Sequence, residues 1–298
     1  MQEAMSTFAG ASEALGQSRA AKPSFRGLVG GELLKIKNQK ATWIMATLVL
    51  LLVLLPYIVT YATLNPALLL QKQVFDYFVS QIAGLTRAGT GFFLLILTAR
   101  VIGLEYQLGT VRVLLARGVG RLQLLLAKLA AIGLVALALL LGCLLLNAGM
   151  LGGMLAWHGS LNLLSAIGSH IALYALTILV SAVASVLLAT AVTVLSRSLA
   201  FGLSAAIAFF PLDNFGGLLL PLGSKLTHAM FWQQITAYLL GPNLNQMTAS
   251  LTKLPGFGFG FGPAVNVDGT HTLLVTLVYA LSFAAIAVVL TIKKDVQE

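Results

Sequence analysis

The sequence predicts an all-α polytopic membrane protein with six transmembrane helices. Composition is the first reason: 58% of the 298 residues are hydrophobic, only 9% are charged, and the mean hydropathy is +0.94. Soluble domains carry roughly 25% charged residues. The second reason is that several windows exceed the ~20 apolar residues needed to cross a bilayer. The third is that the basic residues lie at the ends of these windows, where topology signals belong. Helices that bury themselves in lipid and against one another make length a poor guide to domain number, so one transmembrane domain over 25–298 is expected. Residues 1–24, rich in Ala, Ser, Gln and Glu and without an apolar run fit for the core of a signal peptide, read as a mobile cytosolic tail.

From Phe25 to Lys40 the residues Phe25, Leu28, Val29, Leu33 and Ile36 recur at helical spacing beside Lys35, Lys37 and Lys40, the pattern of a helix lying in the membrane interface. The first spanning helix follows over about 43–61, with Trp43 and Tyr61 at opposite interfaces and Pro56 near its outer end. Residues 62–81 read as an external loop with a short surface helix near 70–80, and the second spanning helix as about 82–105. That helix contains Arg87 and Arg100, each costing on the order of 2.5–3.5 kcal/mol at the bilayer centre. Both lie near enough to an end to snorkel, and for Arg87 a place on a substrate pathway is the alternative. The third helix is expected over 122–149, ending in the pair Gly149 and Gly153 at the spacing of a packing motif.

The fourth helix is expected over about 166–196, and the fifth starts near Leu199 after a very short turn at Arg197. Pro211, Asp213, Asn214, Gly216 and Gly217 interrupt the fifth, which either continues with a kink to Pro221 or stops at Pro211. Beyond it, Phe231, Ile235, Tyr238 and Leu239 form an apolar face with Trp232 beside it, and the run PGFGFGFGP at 255–263 reads as an extended loop tip. The sixth helix occupies about 271–292 before Lys293 and Lys294.

Chemistry-bearing patterns are sparse. No G-x-x-x-x-G-K-[ST] loop cradles a nucleotide, so ATP hydrolysis and every catalytic residue are expected elsewhere than in this chain. His158, His170, His228 and His271 are scattered without ligand spacing, so no metal site is expected. The single cysteine, Cys143, lies in an apolar run and reads as a core thiol. Although the net charge is +9, the basic residues sit at helix ends, and nucleic acid is not an expected partner. Asp213 reads either as a cap beside Asn214 or as a pore-lining acid.

The densest polar stretch is Arg100–Lys128, which holds Arg100, Glu105, Arg112, Arg117, Arg121 and Lys128. Gly109 ends one helix, Thr110 is placed as an N-cap, and Val111, Leu114 and Leu115 form one apolar face with Arg112 turned away. Gly118 and Gly120 then break the helix, leaving 110–117 as a surface stub between two spanning helices. Arg112 and Arg121 are the opposite charges that this stretch offers to Glu105.

This arrangement resembles the ABC-2 type permease family, the membrane subunits of ATP-driven exporters whose fold is shared with ABCG-type transporters. The resemblance implies an N-terminal elbow helix, a coupling helix at 110–117 and short re-entrant helices between the fifth and sixth spans. It gives Glu105, Gly109, Thr110, Arg112, Leu115, Arg117 and Arg121 the role of coupling to an ATPase subunit. It makes Arg87, Asp213 and Asn214 candidates for a translocation pathway walled by the second and fifth helices. The implied partners are ABC ATP-binding subunits, which hold ATP and Mg, a second permease copy in a homo- or heterodimer, and membrane lipids. Cargo would be hydrophobic or amphipathic and moved outward by alternating access. A sensor or scaffold tied to an ABC ATPase without transport is the rival reading. Fourteen of the 18 basic residues fall on one side of the six-helix plan, which puts that side and both termini in the cytosol of a plasma-membrane protein.

Overall fold

A computed structural model describes residues 24–63, 71–116, 118–157, 161–253, 255 and 261–293. The expected tail up to residue 23, Arg117, His158, most of the Gly/Phe run and Lys294 lie outside the described residues. Ten helices are described: α1 (Phe25–Asn38), α2 (Lys40–Thr63), α3 (Lys72–Gln107), α4 (Thr110–Ala116), α5 (Arg121–Trp157), α6 (Leu161–Ser196), α7 (Leu199–Thr227), α8 (Phe231–Thr236), α9 (Leu240–Thr252) and α10 (Gly269–Lys293). Six of them, α2, α3, α5, α6, α7 and α10, are long and apolar enough to cross a membrane. No strand occurs among the described residues.

The spanning helices divide by burial. Within their most apolar windows α3 is 78% buried and α6 61%, whereas α2, α5, α7 and α10 lie between 11% and 22%. The bundle is therefore built around α3 and α6, and the other four turn long rows of Leu, Ile and Val outward, where lipid replaces water as solvent for apolar side chains. Ile36, Val53, Leu94, Leu97, Ile132 and Cys143 form one core cluster, so Cys143 is a buried core thiol. Nearer the other end, Tyr57 donates to Asn147 Oδ1 at 3.0 Å and Asn147 Nδ2 to Thr86 Oγ1 at 3.3 Å, which ties α2, α5 and α3 together.

Several expected boundaries move. The external surface helix near 70–80 is part of α3, because Phe75, Phe78, Val79 and Ile82 continue the buried face in phase with the span. Its 36 residues extend about 54 Å, well beyond the ~30 Å apolar core. In the same way α5 runs on to Trp157, with Leu151 and Leu155 buried against Tyr57, Phe75 and Tyr174. Gly149 and Gly153 meet no described neighbour within 4 Å and so do not pack two helices of this chain together.

The fifth span is not interrupted: α7 passes through Pro211 and Pro221. Each proline removes one bond from the ladder, a loss that membrane helices tolerate when neighbours re-satisfy the backbone. At α8 and the turn after it the apolar face turns out differently from the sequence pattern, since Phe231 and Tyr238 are exposed. Trp232 instead covers Gly223 of α7. Between α8 and α10, α9 buries Leu240, Leu244 and Met247 against Phe209 and Phe210 of α7 and Tyr279 and Phe283 of α10. Phe283 is about 21 Å along α10 from its start, so α9 dips into the bundle and does not lie across its end.

Candidate functional site

Two polar sites sit on α3, one at its C-terminal end and one within its span. The first is a closed ring of two carboxylates and two ammoniums. Lys35 Nζ lies 2.7 Å from Glu32 Oε1 and 2.9 Å from Glu105 Oε1, and Lys128 Nζ lies 3.0 Å from Glu32 Oε2 and 2.8 Å from Glu105 Oε1. Lys128 also donates to the Val101 carbonyl at 3.3 Å. Glu32, Glu105 and Lys128 are buried, while the Lys35 side chain is 53% exposed. Three helices meet in this ring: α1 brings Glu32 and Lys35, α3 brings Glu105, and α5 brings Lys128. Burial draws the Lys35 ammonium down, but Glu32 and Glu105 outweigh it and hold the group above its ordinary value of 10.5.

The ring redraws the partners of Glu105. Its described ion pairs run to Lys35 and Lys128, lysines on two other helices that the local sequence does not offer, because α1 folds back beside the end of α3. Arg112 is exposed on α4, and Arg121 donates to the Ile292 carbonyl of α10 at 3.5 Å. Gly109 takes φ +67°, a left-handed turn that glycine enters without strain. Thr110 begins α4 and does not cap it; its hydroxyl donates to the Glu105 carbonyl at 3.5 Å. The stub α4 has no buried residue. Its Leu115 and Val111 line a cleft with Glu105, Arg121 and Arg197 on one side, and Val113 and Leu114 line a groove with Lys35 and Glu105 on the other.

About 27 Å away along α3, at 1.5 Å per residue, Arg87 lines a cavity of about 220 Å³ between α3, α6, α7 and α9. The snorkelling reading fails here: Arg87 is buried, and its Nη2 donates to Asn245 Oδ1 of α9 at 2.5 Å. Asn245 Nδ2 in turn donates to Asn214 Oδ1 at 2.9 Å and to the Phe261 carbonyl at 3.0 Å. Arg87 and Asn214 are thus joined through one amide. Asp213 stands beside them in a different role, accepting from the Gly241 N–H at the start of α9. It is a cap, as one of the two sequence readings had it, but supplied by another helix. A Cβ on Gly241 would come within 2.8 Å of Asn214 Oδ1 and 3.0 Å of Asp213 Oδ2, so only glycine admits this approach.

Glu32, Asn245, Ser181 and Ser185 were not singled out by sequence. Glu32 carried a usable signal, a lone acid on an apolar interfacial helix with Lys35 at i+3 spacing. The others carried none, since their meaning depends on how α9 folds.

Among the comparisons, a family model described as ABC-2 family transporter protein matches residues 28–212, the stretch that includes most of α1, all of α3 with Arg87 and Glu105, and the stub α4. No curated protein and no solved structure matches the chain. Six helices able to cross a membrane accord with that match, and the chain belongs to the ABC-2 family of transporter proteins, as a membrane permease component of an ABC transporter.

Proposed function

We propose that this chain is the permease half of an ATP-driven exporter of the plasma membrane, with both termini in the cytosol. It works as a pair, with a second copy or a close relative, on two ABC ATP-binding subunits that hold ATP and Mg. The observation that carries this reading is the span of α3, a single buried helix with the charge ring at one end and the Arg87 cavity within it. A push on α4, which stands exposed beside the ring, moves α3 as a rigid rod, because closely packed interiors transmit strain without yielding continuously. Glu105, Gly109, Thr110, Arg112, Leu115, Arg117 and Arg121 form the coupling region, and Arg87 with Asn214 faces the cargo path. Asp213 holds α9 in place on that path. Alternating access then exposes the cavity to the cytosolic and outer sides in turn, and its aromatic wall of Phe92, Phe210, Phe215 and Phe261 suits hydrophobic or amphipathic cargo.

The test is paired ATPase and transport measurement in vesicles holding the complex of this chain with its copurifying ATP-binding subunit. The chain alone is expected to hydrolyse no ATP. In the complex, Glu105→Gln and Arg112→Ala are each expected to lower the cargo moved per ATP while assembly persists. Transport at the parental rate per ATP in both variants would refute the coupling role. ATP turnover without transport of any amphiphile tested would favour a sensor or scaffold.

A further inference from the structure

We infer that the cavity around Arg87 is a subsite for the oxyanion headgroup, carboxylate or phosphate, of an amphipathic cargo. The inference rests on the exporter reading and goes beyond it by naming the chemistry of what is carried.

Arg87 is only 6% exposed, about 22 Å along α3 from its start. A guanidinium in such a place is costly unless something of opposite charge offsets it. Among the described residues no carboxylate lies within ion-pair distance of it. Asp213, the acid on the neighbouring wall, is committed to the N-terminus of α9 through the Gly241 N–H. The partner that Arg87 does have is neutral: Asn245 Oδ1 accepts one bond at 2.5 Å, and guanidinium carries five N–H donors. Asn245 cannot swing away, since its Nδ2 is held by Asn214 Oδ1 and the Phe261 carbonyl. The charge is therefore positioned but not neutralised.

The rest of the cavity fits an anionic head on an apolar body. Ser181 and Ser185 of α6 line it as well, their hydroxyls beside Gly91, one turn along α3 from Arg87. A volume of about 220 Å³ has room for a phosphate or carboxylate group. Phe92 and Phe215 at its wall are 40% and 56% exposed, so the cavity borders apolar surface on which an alkyl tail can lie. Arginine recognises oxyanions with a planar fork of donors that a lysine lacks.

The probes are decyl phosphate, decyltrimethylammonium and inorganic phosphate, titrated into the full chain purified with its ATP-binding subunit in dodecyl maltoside. Decyl phosphate is expected to bind about tenfold or more tighter than the cationic amphiphile, and inorganic phosphate about a hundredfold or more weaker, for want of the alkyl chain. Arg87→Gln removes the preference for the anion and Arg87→Lys retains part of it. Asn245→Asp places a carboxylate against Arg87 and also removes the preference, which gives a second variant with the arginine intact. No headgroup preference in the parent, a preference that survives Arg87→Gln or Asn245→Asp, or inorganic phosphate binding as tightly as decyl phosphate would each overturn the inference. Copurification and ATPase activity of the same preparations report on the exporter reading separately. Their persistence in a parent that shows no headgroup preference faults the subsite alone.

Discussion

Replacing Lys128 by Met and Glu105 by Gln, singly and together, measures what the ring contributes. Among the described residues Lys128 is the one buried cation between Glu32 and Glu105, at 3.0 and 2.8 Å. Its loss leaves two buried carboxylates to share Lys35, so Lys128→Met falls at the top of the range for breaking a buried pair, about 4–5 kcal/mol. Glu105→Gln is milder, because Lys128 keeps Glu32 and the Val101 carbonyl and Lys35 can turn to water; about 2–3 kcal/mol follows. The double variant leaves Glu32 and Lys35 as a balanced pair, so its cost should fall about 2–3 kcal/mol short of the sum of the single costs, within the range found for residues in one network. Lys35→Met, at a half-exposed site, should cost no more than about 1 kcal/mol. The assay is unfolding of the purified chain by titration with dodecyl sulfate, followed by circular dichroism. If the single costs add in the double variant to within about 0.5 kcal/mol, or if Lys35→Met costs as much as Lys128→Met, the ring is not an energetically coupled unit.

With Cys143 replaced by Ala, a cysteine introduced at Gly258 should react with an impermeant thiol reagent in intact cells and one at Gln297 should not; the reverse pattern would place α4 on the wrong side for an ATPase. Gly241→Ala forces a methyl group against Asn214 and Asp213, an overpacking expected to cost about 1–3 kcal/mol and, read in the headgroup titration, to weaken anion binding through the displaced Asn245. The raised Lys35 pKa gives a pH signature. A group held above its unfolded value stabilises fully below that value and loses its contribution as pH rises through the folded one. The difference in Tm between parent and Lys35→Met should therefore be constant from neutral pH up to about 10 and shrink above it; a gap unchanged in stronger alkali would mean that Lys35 acts through packing alone.

Much of the molecule is legible along the chain because the signals are local. Apolar length and basic flanks place six spans, since a backbone in lipid must satisfy its own hydrogen bonds and helices do so within one segment. The stub at 110–116 is equally local, framed by Gly109 and Gly118 with an apolar face between them. Helix ends were less legible. Lys72 and Asp76 look like loop residues until Phe75 and Phe78 are seen buried against Tyr57 and Leu155. Pro211 looks like a break until α9 is seen packed beside it.

The meaning of a charge was decided by the tertiary structure alone. Glu105 had arginines close by in sequence, but its lysine partner Lys35 stands 70 residues away. Arg87 reads as an arginine reaching for water until Asn245, 158 residues on, covers it. Whether a charged group is solvated, paired or held uncompensated depends on which distant helix closes over it. In a low-dielectric interior that choice is worth several kcal/mol, a quantity that composition and spacing do not contain.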